Sequence, residues 1–262
     1  MNRPSTVETV NEIRRLLIEH AFPHTRRSSE AALSGERERL IDLFISKTIL
    51  FSVHTDSEVD RWIKERLRKA NLRSEIAPLD AIEQWRINAT TGDIAHATGR
   101  FFSIIGLAVR HRTKEGELSW DQPIIDQPEY GILGILAKKF DNVLHFLLQA
   151  KEEPGNIHSV QLSPSVQATY SNYTQAHGGK LPQFLEHFLD PPRDRILFAK
   201  LQSEDGGRFL FKSNRNMIVV VDGDVPAPPD AFIWLTLRQI SNLMRRDNMV
   251  NACTRSILSA VL

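Results

Sequence analysis

The chain has 262 residues, 41% hydrophobic and 25% charged, with a formal net charge of +1 at pH 7. That apolar share supports a sizeable core and argues against disorder, while the near-neutral balance argues against a general nucleic-acid binder. The lone cysteine, Cys253, excludes an intrachain disulfide and a cysteine metal cluster; no apolar signal region or bilayer-length apolar run is present, so a cytoplasmic protein with no membrane partner is expected.

Residues 1–75 read as a helical region, and residues 76–262 as the domain that follows it. Val10, Ile13, Leu16 and Leu17 recur at helical spacing within Val7–His20, and Arg39–Ser52 is a second apolar-rich helix candidate. Ser57 is the expected cap of a third helix reaching Ala70, with Trp62, Ile63 and Leu67 on one stripe. Its polar side, Arg61, Lys64, Arg66, Arg68 and Lys69, reads either as an anion site or as a solvated face.

From Trp85 the texture changes to short strands and turns. Ile94–His96 and Phe101–Val109 are expected strands around an Ala97-Thr98-Gly99 turn. Trp120–Gln127 is a short extended piece broken by Pro123 and Pro128, and Gly131–Lys139 a brief helix or loop. Leu144–Glu153 is a strand followed by Pro154-Gly155-Asn156. Ile196–Gln202, Arg208–Lys212 and Met217–Val221 are further strands. A final helix begins near Phe232, with Trp234, Leu237, Ile240 and Met244 on one side.

The stretch between Gln149 and Gly179 carries the strongest pattern. Val160, Leu162, Pro164, Val166, Ala168 and Tyr170 alternate with Gln161, Ser163, Ser165, Gln167, Thr169 and Ser171, the period of a half-buried strand. Its polar face holds neutral amides and hydroxyls and no charge, which suits a hydroxyl-rich ligand. A three-residue loop at Pro154-Gly155-Asn156 would place Gln149 opposite Gln161 and gather Gln149, Lys151, Gln161, Gln167 and Thr169 on one surface; a two-residue loop would scatter them. Lys151, the cation of that surface, suits polarising a ketone oxygen, stabilising an enolate or, with a lowered pKa, acting as a base. An ion pair with Glu153 on a solvated sheet is the alternative.

Other candidates lie outside this strand. His96 sits between two turns, with a structural reading beside the catalytic one. Tyr170, Asn172, Tyr173 and His177 cluster just past the strand, where loop residues often carry function. Arg208, Asn214 and Arg215 suit either a diphosphate or turn chemistry. The chain lacks GxGxxG and GxxxxGK[ST] motifs and has no histidine pair at metal-binding spacing, so neither a dinucleotide cofactor nor a metal is expected.

Several segments together resemble the NDP-hexose 2,3-dehydratases: TTGDIAHATGRFF, SWDQPIIDQPEYGILGILAKK, LLQAKEEPGN, VQLSPSVQATYSNYT followed by His177-Gly178-Gly179, SEDGGRFLFKSNRN and FIWLTLRQISNLMRRDNMVNACTR. The resemblance implies an α+β, Nudix-like mixed sheet flanked by helices. It also implies dehydration of a dTDP-linked 4-keto-6-deoxyhexose to a 3,4-diketo-2,6-dideoxy sugar without a cofactor. The acidic magnesium helix of Nudix hydrolases has no counterpart here. On this reading Lys151, Glu153, His96 and Tyr173 are the catalytic candidates. Trp85, Arg100, Phe102, Gln122 and Gln149 are substrate-binding candidates, as are Gln167, Thr169, Ser171, Asn172 and His177 and the trio Arg208, Asn214 and Arg215. Trp120 and Trp234 are further candidates for stacking on thymine. The family usually carries two tandem units where this sequence has one, so a homodimer or another polypeptide is expected to complete the pair, with a ketoreductase downstream. An isomerase, a dehydratase of another nucleotide sugar and a non-catalytic binding subunit remain the alternatives.

Overall fold

The computed structural model describes residues 5–20, 30–99, 101–169 and 181–262. The N-terminal helices form where periodicity and caps agree. Helix α1 (Thr6–His20) opens on Ser5 and Glu8, which bond each other's backbone N–H, and α2 spans Glu30–Thr48. Helix α3 (Asp56–Lys69) is capped at Thr55 rather than Ser57, because Glu58 stands three residues after Thr55 and closes a reciprocal box. Its basic side is partly used as a brace: Arg66 donates to the Asp230 carbonyl, and Trp62 beside it to that of Pro229.

Two sheets follow. The first is antiparallel, in the order β1 (Trp85–Ile87), β2 (Ile94–His96), β3 (Ser103–Thr113), β4 (Gly116–Asp126). Strand β4 runs through Pro123 instead of breaking there. It is the edge strand, so the missing N–H costs no ladder bond.

The second sheet is mixed. Strand β5 (Gly131–Phe140) lies between β6 (Val143–Glu152) and β10 (Ser213–Val220); β11 (Phe232–Leu235) flanks β6, and β9 (Ile196–Ser203) flanks β10. Among the described strands of this sheet, only the β10–β5 pairing is parallel. Gly131–Lys139, expected as helix or loop, is thus a central strand. Its side chains from Ile132 to Ala137 are buried, so its apolar residues run on without alternation. Gly134 permits close packing, since a Cβ there would lie 2.5 Å from the Phe188 ring.

The alternating stretch is two strands, β7 (Val160–Pro164) on β6 and β8 (Val166–Ala168) on β5. Strands β5 and β6 pair from Ala137/Phe146 to the turn and splay apart at their other ends. Ser165 sits at the fork. Its hydroxyl accepts from Leu136 N–H at 3.0 Å and donates to the Leu147 carbonyl at 2.6 Å. One buried side chain thereby satisfies two backbone groups that parting strands would leave unpaired.

One face of the second sheet presents Leu133, Ile135, Phe146, Leu148 and Ile218 to α3, α5 (Leu237–Met244) and α6 (Ala252–Leu258). The other face packs Ile132, Leu136, Leu147, Met217 and Val219 against Phe184, Leu185 and Phe188, the last on the short helix α4 (Glu186–Leu189). The helix expected from Phe232 is therefore strand β11, then α5 capped at Thr236, then α6 capped at Asn251. Arg208–Lys212 is not a strand: Phe209 makes one isolated bridge to Ile125.

Candidate active site

The hairpin register differs from the expected one. Glu152 pairs with Val160, Lys151 with Gln161 and Gln149 with Ser163, so seven residues, not three, connect β6 to β7. Asn156 stabilises the longer loop by donating to the carbonyls of Lys151 and Ser159. Seven and three are both odd. The period-two alternation therefore still sets Lys151 and Gln149 on the same face as Gln161 and Ser163.

Where β5 and β6 splay, a cavity of about 350 Å³ opens between the start of β5, the end of β6, β8, the start of β10 and α6. Lys151, Gln167, Thr169 and Asn214 line it. The Lys151 ammonium donates to Gln167 Oε1 at 2.8 Å and lies 2.9 Å from Glu153 Oε1. The kink at Ser165 turns Gln167 toward Lys151, whereas Gln161 reaches away to the Asn248 carbonyl. Ser163 and Ser165, expected on the ligand-facing side, are buried in the sheet.

Among the lining residues that escaped sequence reading are Glu204, Lys212 and Cys253. Asn214 donates to Glu204 and accepts from Gly131 N–H at 2.9 Å. Gly131 is required there because a Cβ would come within 2.8 Å of Asn214 Oδ1. Lys212 is 7% exposed and donates to the Glu129 carbonyl. Burial lowers its pKa against the opposing pull of Glu129 and Glu204. Burial pushes the Cys253 thiol up to about 11, with Glu204 and Glu153 adding to the shift, so it stays protonated and is a poor nucleophile. The signal for Lys212 was its place at the end of the apolar run Phe209-Leu210-Phe211. Assigning that run to a strand hid it.

A larger space of about 780 Å³ adjoins the cavity, between the β3–β4 hairpin and the 203–213 loop, and shares Glu204, Phe209 and Lys212 with it. Gln122 ties the two sides by accepting from Trp120 Nε1 at 2.9 Å and donating to the Gly207 carbonyl at 3.0 Å.

The remaining candidates lie apart. His96 belongs to the first sheet. One ring nitrogen is 2.8 Å from Thr98 Oγ1, the other 3.0 Å from Gln84 Oε1, and Trp85 and Phe101 pack on the ring. Phe102 packs on Trp85 in the same aromatic knot. Trp120 is partly exposed, while Trp234 packs edge-on against Phe140. Gln149 is half-buried opposite Ser163. Arg208 pairs with Asp205 on the surface, and Arg215 is exposed between buried Asn214 and Asn216. Arg100, Tyr170, Ser171, Asn172, Tyr173 and His177 lie outside the described residues.

A family model described as NDP-hexose 2,3-dehydratase matches residues 56–261. The chain is similar to three curated proteins, each named dTDP-4-dehydro-6-deoxy-alpha-D-glucopyranose 2,3-dehydratase. The one from Saccharopolyspora spinosa is 49% identical over 206 residues, covering 78% of this chain and 42% of the relative. That of Amycolatopsis orientalis is 51% identical over 209 residues, covering 78% and 44%. That of Streptomyces violaceoruber is 45% identical over 201 residues, covering 76% and 45%. The chain thus spans less than half the length of these relatives.

Proposed function

The chain belongs to the NDP-hexose 2,3-dehydratase family, and from that premise we propose that it is itself a carbon–oxygen lyase acting on a dTDP-4-keto-6-deoxyhexose in deoxysugar biosynthesis, including that of antibiotics. The observation that carries this reading is the Lys151 ammonium, held by Gln167 and Glu153 in the wall of the cavity. A 4-ketone acidifies the C3 hydrogen. Loss of that proton leaves negative charge on O4, and a cation already fixed in place stabilises it without reorganising. The enolate then expels the C2 hydroxyl, and tautomerisation gives the 3,4-diketo-2,6-dideoxy sugar. Water is lost and no net electron is transferred, so the chemistry calls on no redox cofactor.

In this reading Glu153 positions Lys151, while Gln167, Thr169 and Asn214 meet sugar hydroxyls. Gln122 on β4 and Arg208 in the 203–213 loop, on the elements that border the larger adjoining space, are assigned to the nucleotide side. His96, with both ring nitrogens engaged, supports the first sheet and takes no part in proton transfer. Tyr173 lies outside the described residues and carries no step here.

The same proposal covers a Nudix-like topology for the mixed sheet and a division between a helical region, 1–75, and a dehydratase domain, 76–262. It includes a homodimer in place of a tandem pair, a cytoplasmic setting and a downstream ketoreductase. No described helix is long and apolar enough to cross a membrane.

The test is incubation with dTDP-4-keto-6-deoxyglucose, a 3-ketoreductase and NADPH. A 2-deoxy product is expected, and Lys151→Met should lower turnover by roughly 10²–10³-fold. Full turnover in that variant would remove Lys151 from the mechanism. Solvent deuterium at C3 with the hydroxyl retained would make the protein an isomerase. Sugar-nucleotide binding with neither outcome would make it a binding subunit.

A further inference from the structure

We infer that Lys212 is the base that takes the C3 hydrogen in this dehydration, an assignment that rests on the dehydratase reading above. Two neighbouring residues invert the usual rule of burial. Phe211 is 95% exposed and Lys212 is 7% exposed. The backbone enforces the inversion: Phe211 has φ 49°, in the left-handed region a bulky side chain rarely adopts. Exposing a phenyl ring, burying an amine and straining the backbone each cost stability. Together they deliver one thing, an amine in the wall shared by the cavity and the larger space beside it.

The two cavity lysines occupy different surroundings, which suits them to opposite roles. Lys151 is half-exposed and paired with the Glu153 carboxylate, which favours a fixed ammonium. Lys212 donates to a main-chain carbonyl, that of Glu129, and burial lowers its pKa against the opposing pull of Glu129 and Glu204. Of the nearby carboxylates, Glu204 is engaged by Asn214. A neutral amine accepts a proton; a fixed ammonium stabilises an oxyanion.

The step balances with these two groups. The Lys212 lone pair takes the C3 proton, and the electrons of the C3–H bond form the C3–C4 enolate, with O4 facing Lys151. The enolate electrons then form the C2–C3 double bond as the C2–O bond breaks. The Lys212 ammonium returns its proton to the departing hydroxyl, which leaves as water, and the amine is restored.

The experiment uses the full chain, dTDP-4-keto-6-deoxyglucose deuterated at C3, a 3-ketoreductase and NADPH. It follows deuterium release into water and 2-deoxy product together, with dTDP affinity measured by calorimetry. Wild type should release deuterium and form product. K212M, close to isosteric, and K212R, which keeps the charge, should both lose deuterium release by about 10²–10⁴-fold while binding dTDP as wild type does. That retained affinity also shows that each variant is folded. Deuterium release at the wild-type rate in K212M would overturn the assignment. Restored turnover in K212R, or weakened dTDP binding with normal release in K212M, would make Lys212 a phosphate contact instead. If wild type neither releases deuterium nor forms product, the dehydratase reading falls and this assignment with it. If wild type does both and only the variant result fails, the assignment falls alone.

Discussion

His145 shows how burial can dominate a residue's chemistry. It is 1% exposed on β6, where Nε2 accepts from Val53 N–H at 3.1 Å and Nδ1 donates to the Val143 carbonyl at 2.9 Å. That arrangement needs the neutral ring, and burial lowers its pKa from 6.5 to about 4. The folded-state pKa is below the unfolded one, so the unfolded chain takes up the proton first. The stabilisation is present above pH 6.5 and is lost as pH falls toward 4. Its loss is on the order of 3 kcal/mol. Urea unfolding at pH 7.5, 6 and 5 should show a falling midpoint in wild type and a flatter dependence in His145→Gln; parallel curves would exclude His145 as the cause. This role was not legible in sequence, because it follows from what the fold places around the side chain. Lys151 was legible, since the alternating stretch opposite it, residues 160–171, carries no charge of its own.

At the scale of elements, the fork at Ser165 is what opens the site. A single alternating run looked like one strand, yet it serves two partners. The kink that transfers it from β6 to β5 also swings Gln167 onto Lys151. Ser165→Ala would leave Leu136 N–H and the Leu147 carbonyl without their buried partner, at a cost of about 2 kcal/mol. Chemical denaturation should read that loss, and a cost near zero would mean the fork closes without the hydroxyl. The loop length was misjudged because proline, glycine and asparagine announce a turn but do not count its residues. The common face survived the error through parity. The Gly131–Lys139 run was misread for a different reason: a strand buried on both sides has no alternation to display.

At the scale of the molecule, the helical region and the sheet share packing, with Val59 and Ile63 of α3 inside the cluster that holds β5 and β6. Ser46 of α2 bridges the sheet and α5, donating to the Leu144 carbonyl and accepting from Leu237 N–H. For the whole assembly, the proposed homodimer predicts a sedimentation mass twice that of one chain, and a monomer at micromolar concentration would sink it. The sequence by itself determined the N-terminal helices, most strands, the face that carries Lys151 and the family resemblance, because periodicity, caps and motifs are written in neighbouring residues. Only the tertiary structure decided that β5 and β6 part around a cavity, that His96 stands outside it, and that Lys212 is buried in its wall. The physical reason is that burial and strand pairing depend on segments far apart in the chain, and no local pattern records which of them will meet.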